Sequence, residues 1–259
     1  MQLAVYQVDA FADQVFTGNP AAIIPLEQWL DDALMQSIAA ENNLSETAFI
    51  VPEGGGFRIR WFTPTVEVNL CGHATLATAH VLFHEFAYPA DEILFYSRSG
   101  ELKVRKGKEK LSLDFPVQEA QACEMPEAVV EAIGKMPQAC LKNVDYVLVY
   151  ENQDDIESIN PNHERAKQTD ARGIIVTAPG REHDFVCRFF AAGTGIPEDP
   201  VTGSAYTKLV PYWAKRLGKD SLRARQLSKP GGELWLELKQ DRVLIAGHTI
   251  KYLQGTINI

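Results

Sequence analysis

An α+β fold built from two similar halves is what this sequence predicts, and three observations predict it. First, "RWFTPTVEVNLCGHATLATAHVLF" from Arg60 and "RFFAAGTGIPEDPVTGSAYTKLVPYW" from Arg188 follow one plan: Arg, two aromatics, a turn-rich acidic segment, Gly with a small polar pair, then a helical pattern. Arg60 and Arg188 are 128 apart and Gly72 and Gly203 are 131 apart, so the second copy carries three extra loop residues. Second, "SGELKVRKGKEKLSLDF" matches "GGELWLELKQDRVLIAG" at a constant offset of 132, with Gly100 against Gly232 and Leu111 against Val243. Third, short alternating runs typical of strands surround one Gly-entered, apolar helix in each copy.

The elements follow in order. "LAVYQVDAF" and "AAIIP" read as strands. "LDDALMQSIAAEN" reads as a helix capped by Asp31 or Asp32, with Leu34, Met35, Ile38 and Ala39 at helical spacing and an end at Asn42-Asn43. "NLSETAFIV" is a strand whose alternation puts Glu46 on the face of Ala48 and Ile50, so that carboxylate stands either at the wet end of the strand or in a pocket. "FRIRWF" is the next strand. The helix after Gly72 is apolar on most sides through Leu76, Ala77, Ala79, Leu82 and Phe83, which predicts burial. The basic run "KVRKGKEK" reads as a solvated hairpin tip, and a boundary is expected between Pro116 and Pro126. "DYVLVY", "GIIVTAP" and "FVCRFF" are strands of the second half. Its helix carries Ala205, Leu209, Val210, Trp213 and Leu217 toward the core, with Pro211 expected to kink it or shift its start. "LWLEL" and "RVLIAG" close the half as a hairpin.

Composition narrows the function. The chain has 259 residues and a formal charge of −9, which argues against a nucleic-acid surface because phosphate neutralisation needs clustered Lys and Arg. Cys71, Cys123, Cys140 and Cys187 are widely separated, without CxxC or metal-ligand spacing, so no metal is expected. No apolar stretch approaches a membrane span and no basic, then apolar, leader opens the chain, so the expectation is a reduced, cytoplasmic protein without a membrane partner.

Two copies related by a pseudo-twofold axis place the expected ligand site in the crevice between them, lined by the Gly-led helix starts. Backbone amides at Gly72-His73 and Gly203-Ser204 would present unpaired donors at the positive helix end, suited to a carboxylate or an oxyanion. His73 would sit in a first turn, where the dipole disfavours its protonation and suits a neutral hydrogen-bonding group. Ser204 occupies the equivalent place and reads as a binding hydroxyl or as a cap. Asp199 lies between two prolines in "IPEDPVTGSA"; the Asp-Pro pair marks a turn, and its place beside the second Gly turn would let it face Glu46. Two carboxylates flanking a substrate move a proton on and off carbon when burial raises the pKa of one. Cys71 before the first helix is a candidate thiolate base, but its repeat partner is Thr202, so a symmetrical Cys pair is missing and a small packed residue is the favoured reading.

The segments "DAFADQVFTGNPAAI", "NLSETAF", "EVNLCGHATLA", "FFAAGTGIPEDPVTGSA" and "SKPGGELWLEL" resemble, in order and spacing, the phenazine-biosynthesis PhzF-like isomerase family. The resemblance implies a diaminopimelate-epimerase-like fold, in which each half is a barrel-like antiparallel or mixed sheet around a central helix, with no cofactor and a homodimeric assembly. Under it the halves are residues 1–118, with 251–259 returning to them, and 119–250. It implies catalytic roles for Glu46, Asp199 and His73 and substrate binding at Gly72, Gly203 and Ser204: Glu46 removes a proton from carbon and returns one, while the others hold the substrate and the amides stabilise the delocalised anion. The sequence departs from the family at Asn69, where an acid is usual, at "SAYTK", which replaces a His-containing run, and at Lys229-Pro230, where a basic pair is common. These leave the substrate, a small carboxylate-bearing metabolite, unspecified. Two other readings are an amino-acid racemase or epimerase using Cys71 or Glu46 against Asp199, and a non-catalytic metabolite-binding protein.

Overall fold

The computed structural model describes residues 1–191 and 196–259. The "AGTG" part of the repeated block, residues 192–195, lies outside them. The chain divides into two compact units, Met1–Phe115 with Leu244–Ile259, and Pro116–Val243.

The first unit runs through β1 (Gln2–Ala10), β2 (Asn19–Pro25), α1 (Asp32–Asn42), β3 (Glu46–Glu53), β4 (Gly56–Phe62), β5 (Glu67–Val68), α2 (Gly72–His84), β6 (Glu92–Ser97), β7 (Gly100–Lys106) and β8 (Leu111–Pro116). The second holds β9 (Gln121–Ala122), α3 (Glu127–Ile133), β10 (Ala139–Lys142), β11 (Tyr146–Val149), α4 (Gln153–Ser158), α5 (His163–Ala166), β12 (Ile174–Pro179), β13 (Phe185–Phe190), α6 (Gly203–Leu217), β14 (Ser221–Gln226) and β15 (Gly232–Lys239). β16 (Arg242–Gly247) crosses the division, and β17 (Thr249–Asn258) pairs antiparallel with β1.

The internal repeat is visible in strand pairing. In the first unit β1–β2 is antiparallel, β2–β3 parallel, β3–β4 antiparallel, β4–β6 parallel and β6–β7 antiparallel. In the second, β10–β11, β11–β12, β12–β13, β13–β14 and β14–β15 alternate in the same way. An ion-pair clamp repeats as well. Arg60 grips Glu67 through two hydrogen bonds of 2.7 and 2.8 Å and stacks over Phe62; Arg188 grips Glu198 at 2.7 and 2.9 Å and stacks over Phe190. Glu198, the partner of Asp199 in the adjacent acidic pair, is thereby a structural residue.

Helix α2 is buried because its sequence leaves it almost no polar face. In α2 only His80 and His84 escape burial, and it packs against β1, β2, β3, β7 and β17. Helix α6 packs on β14 and β15, with Trp213 stacked on Phe185 at 5.6 Å. Leu217, expected in the core, is 42% exposed at the last turn, whereas Lys208, a charged residue on the same helix, is buried. Pro211 does not shift the start of α6. It lacks an N–H for the Thr207 carbonyl, and the Gln118 N–H donates to that oxygen instead, at 3.1 Å.

In α1 Asp31 is the N-cap, accepting from the Ala33 N–H at 2.9 Å, and Asn43 ends the helix in the left-handed region at φ 48°. The run Lys103–Lys110 forms the exposed end of the β7–β8 hairpin. Among the described residues no helix is long and apolar enough to cross a membrane.

Candidate active site

In the first unit the left-handed turn at Asn43 aims the chain into β3, whose first residue is Glu46. Asn42 ties this entry by donating to the Thr47 hydroxyl at 3.0 Å. Beyond Glu46 both strand faces are covered, with Thr47, Ala48, Phe49 and Ile50 all buried. Its own side chain is 12% exposed, which is the pocket rather than the wet end of the strand.

His73 occupies the first turn of α2, directly after Cys71, an extended N-cap without a side-chain capping bond. Its Nε2 lies 3.0 Å from Glu46 Oε2. The two atoms are close enough to pair but not aligned as a hydrogen bond, so both are buried with directional bonding capacity unused. The Nδ1 edge meets the Asn19 amide at 3.2 Å and the Cys71 sulfur at 3.5 Å. Donor atoms of Glu46, Cys71 and His73 lie within 4.8 Å of one another, a clustering of metal-capable groups that the linear spacing did not show.

Electrostatics corrects one expectation. Burial depresses the imidazole, but the Glu46 carboxylate facing Nε2, together with the Cys71 sulfur in contact with Nδ1, outweighs it and raises the His73 pKa above the ordinary value. A neutral ring was expected from the helix dipole; the carboxylate 3.0 Å away acts against the dipole and favours the protonated ring. Cys71 moves the other way for a base: burial first, then Glu46, push its thiol up to about 11. It is a packed thiol, as the favoured sequence reading held.

In the second unit Asp199 and the start of α6 are tied together by Gln226, which is fully buried. Its Nε2 donates to the Asp199 carbonyl at 2.7 Å and its Oε1 accepts from the Thr202 N–H at 2.9 Å. The Thr202 hydroxyl donates to Asp199 Oδ2 at 2.5 Å. Thr202, not Ser204, is the N-cap, so the capping reading of Ser204 falls; Gly203 is the first helical residue and Ser204 the second. The Ser204 hydroxyl accepts from Arg172 at 3.0 Å, and Arg172 in turn holds the fully buried Asp145 through bonds of 2.8 and 2.6 Å. Lys208, also fully buried, lies 3.2 Å from Asp145 and donates to Gln118 and to the Ser204 carbonyl.

The structure therefore brings Glu46, Gly72 and His73 together with Cys71 and Asn19, and separately links Asp199, Gly203 and Ser204 through Thr202 and Gln226. Sequence reasoning missed Asn19, Gln226, Asp145, Arg172 and Lys208. A lysine four residues after Ser204 on an otherwise apolar helix was the one available signal.

Comparison with known proteins agrees with the pattern of motifs. The model of the family described as "PhzC-PhzF: Phenazine biosynthesis-like protein" matches residues 8–255. Two Pseudomonas aeruginosa proteins, each named an uncharacterized isomerase, are 48% and 50% identical, with all of this chain and all of each relative covered. A crystal structure of a PhzF-family phenazine biosynthesis protein from Enterococcus faecalis superposes with a TM-score of 0.97 at 44% identity over the whole of both chains. With the doubled α+β topology and the Gly-entered helices already in place, these matches make this chain a member of the phenazine biosynthesis-like PhzF family.

Proposed function

We propose that the protein is an isomerase that moves a proton on carbon of a small carboxylate-bearing metabolite, with Glu46 as the proton-transferring group and no cofactor. The observation that carries the proposal is the buried Glu46–His73 pair, whose facing oxygen and nitrogen are 3.0 Å apart yet leave their directional bonding unused. A substrate entering beside them would meet a carboxylate placed to accept a proton and an imidazole, its pKa raised, placed to offset negative charge growing on the carbon framework. The Gly72 and His73 amides at the start of α2 add to that positive potential. The isomerase names of the two Pseudomonas relatives support the same class of reaction.

Asp199, Gly203 and Ser204 belong to the proposal as substrate-holding residues. Arg172 on the Ser204 hydroxyl and Gln226 on the Asp199 backbone give them fixed positions, which suits binding more than proton transfer. A racemase reading that uses Cys71 as base is disfavoured, because a thiol pushed up to about 11 is protonated at neutral pH.

The test is deuterium incorporation followed by NMR in heavy water, with dihydro-hydroxyanthranilate, diaminopimelate, proline and related cyclic acids. Exchange at a substrate carbon that disappears in Glu46→Gln supports the proposal. Exchange surviving undiminished in that variant removes Glu46 from the chemistry, and binding without any exchange favours a non-catalytic binding protein. Asp199→Asn and Ser204→Ala should raise KM more than they lower kcat.

A further inference from the structure

Cys123 and Cys140 are 17 residues apart in sequence, yet in the folded second unit their sulfur atoms lie 3.1 Å from each other. The register explains it. On the antiparallel pair β9–β10, Lys142 faces Gln121 and Leu141 faces Ala122, so the next step along both chains sets Cys140 against Cys123. The Cys123 N–H continues the ladder by donating to the Cys140 carbonyl at 3.1 Å. Opposed residues of an antiparallel pair have Cα atoms about 4.5–5.5 Å apart, inside the roughly 4.4–6.8 Å that a disulfide spans. Both thiols are free.

We propose that Cys123 and Cys140 form a reversible cross-strand disulfide, a modification site separate from the proton-transfer site and independent of its assignment. The two cysteines have unequal roles. Cys123 is partly exposed and Cys140 is buried, so an oxidant reaches Cys123 first. The geometry thus gives an order of events with a glutathione disulfide as oxidant. The Cys123 thiolate attacks one glutathione sulfur, the glutathione S–S bond breaks, and one glutathione leaves and takes up a proton. Cys140 then gives up its proton, its sulfur attacks the Cys123 sulfur of the mixed disulfide, and the second glutathione leaves. Two protein thiols are oxidised and one glutathione disulfide is reduced to two glutathiones. Burial that pushes the Cys140 thiol up to about 12 slows the second attack, while a sulfur held at 3.1 Å favours it through proximity.

The bond would act on more than its own strands. Gln121, Ala122 and Leu141, the residues next to the pair, line a cavity of about 560 Å³ that also meets Lys208, Tyr212 and Lys215 of α6. Closing Cys123–Cys140 fixes two strands of that wall to each other.

The experiment uses the full chain. The folded protein is incubated with glutathione disulfide, remaining thiols are alkylated under denaturing conditions, and the protein is digested with trypsin. Cleavage after Lys110, Lys135 and Lys142 places Cys123 on residues 111–135 and Cys140 on residues 136–142. The expected result is a linked pair of these two peptides, two hydrogens lighter than their sum and separated by dithiothreitol, with Cys71 and Cys187 alkylated. In Cys140→Ser a single glutathione should remain on Cys123, and in Cys123→Ser the folded protein should take up at least tenfold less glutathione. Four alkylated cysteines after oxidation, or links that involve Cys71 or Cys187 as readily, would overturn the proposal; a Cys123→Ser protein modified on Cys140 as fast as the wild type would overturn the order of attack.

Discussion

The buried charges under α6 give a prediction whose sign separates two views of the network. Asp145 and Lys208 are both fully buried at 3.2 Å, and Arg172, 38% exposed, holds Asp145 through two further hydrogen bonds. In Asp145→Asn the Lys208 ammonium keeps only the neutral acceptors Gln118 Oε1 and the Ser204 carbonyl, and it is left uncompensated away from water. Such a loss costs about 3–5 kcal/mol. In Lys208→Met the carboxylate still has both Arg172 bonds. What disappears is the 3.2 Å pairing with Asp145 and two hydrogen bonds to neutral acceptors, the latter worth about 1 kcal/mol each, against the recovered cost of burying an ammonium. Burial already outweighs Asp145 and holds the Lys208 pKa below its ordinary value, so that recovered cost is real. The net expectation for Lys208→Met is about 0–2 kcal/mol, and the two variants should differ by roughly a hundredfold in folding equilibrium. Urea unfolding at neutral pH with comparable slopes reads the difference. A Lys208→Met protein as unstable as Asp145→Asn would refute the reasoning, because it would make Lys208, and not Arg172, the group that neutralises Asp145.

Two further expectations concern the first unit. His73, with its pKa raised in the fold, adds stability that is fully present below the unfolded value of about 6.5 and is lost as pH rises through the higher folded value. Ring-nitrogen NMR should therefore find its titration above that of a free imidazole and displaced toward lower pH in Glu46→Gln; a wild-type titration at or below the free imidazole value would contradict the pair. Gly18, at φ 74°, leaves room for no side chain, because an added Cβ would lie 2.3 Å from the Ala10 carbonyl oxygen. Gly18→Ala should cost about 2–4 kcal/mol in urea unfolding and disturb Asn19 beside His73, and a loss under about 0.5 kcal/mol would show that this turn is free to rearrange.

What could be read from the sequence was local or repeated. Asp31 as cap and Asn43 as helix end need only neighbouring residues, and the two Gly-entered helices announce themselves by repetition. The depth of Glu46 was left open because alternation fixes a face, not whether the end of a strand is wet; the answer depends on β2, β4 and α2 closing over it. Lys208 and Leu217 exchanged places relative to an apolar-inside reading because partners from elsewhere in the chain, Asp145 and Gln118, pay for the lysine. Cys123 and Cys140 looked unrelated at 17 residues, since a strand as short as Gln121–Ala122 carries no periodic signal that would set the register. The raised pKa of His73 depends on its distance to Glu46, and no spacing supplies a distance.

The repeat also shows which parts of the site are architecture. Register aligns Phe49, opposite Arg60, with Val176, opposite Arg188, and three residues earlier it aligns Glu46 with Gly173. The second copy thus has no carboxylate at that place, and an added Cβ there would lie 2.6 Å from the Phe189 ring. At the helix starts Cys71 and His73 are matched by Thr202 and Ser204. The arginine clamp, by contrast, is common to both copies, so it supports the doubled fold and not the chemistry. Its two versions are not equally replaceable. Arg60 shares Glu67 with Arg98, and its remaining nitrogen reaches Asp32, which is 70% exposed and has water to fall back on. Arg188 alone grips Glu198 among the described residues, and its Nη1 donates to the Ile156 and Ile159 carbonyls at 3.2 and 2.7 Å. A lysine offers one point charge where the guanidinium offers a fork. Arg188→Lys should accordingly cost about 2–3 kcal/mol and Arg60→Lys about 1 kcal/mol or less. If unfolding measurements reverse that order, the clamp draws its strength from the charge pair itself and not from the carbonyls that Arg188 serves, and the second copy loses its claim to be held together by this residue.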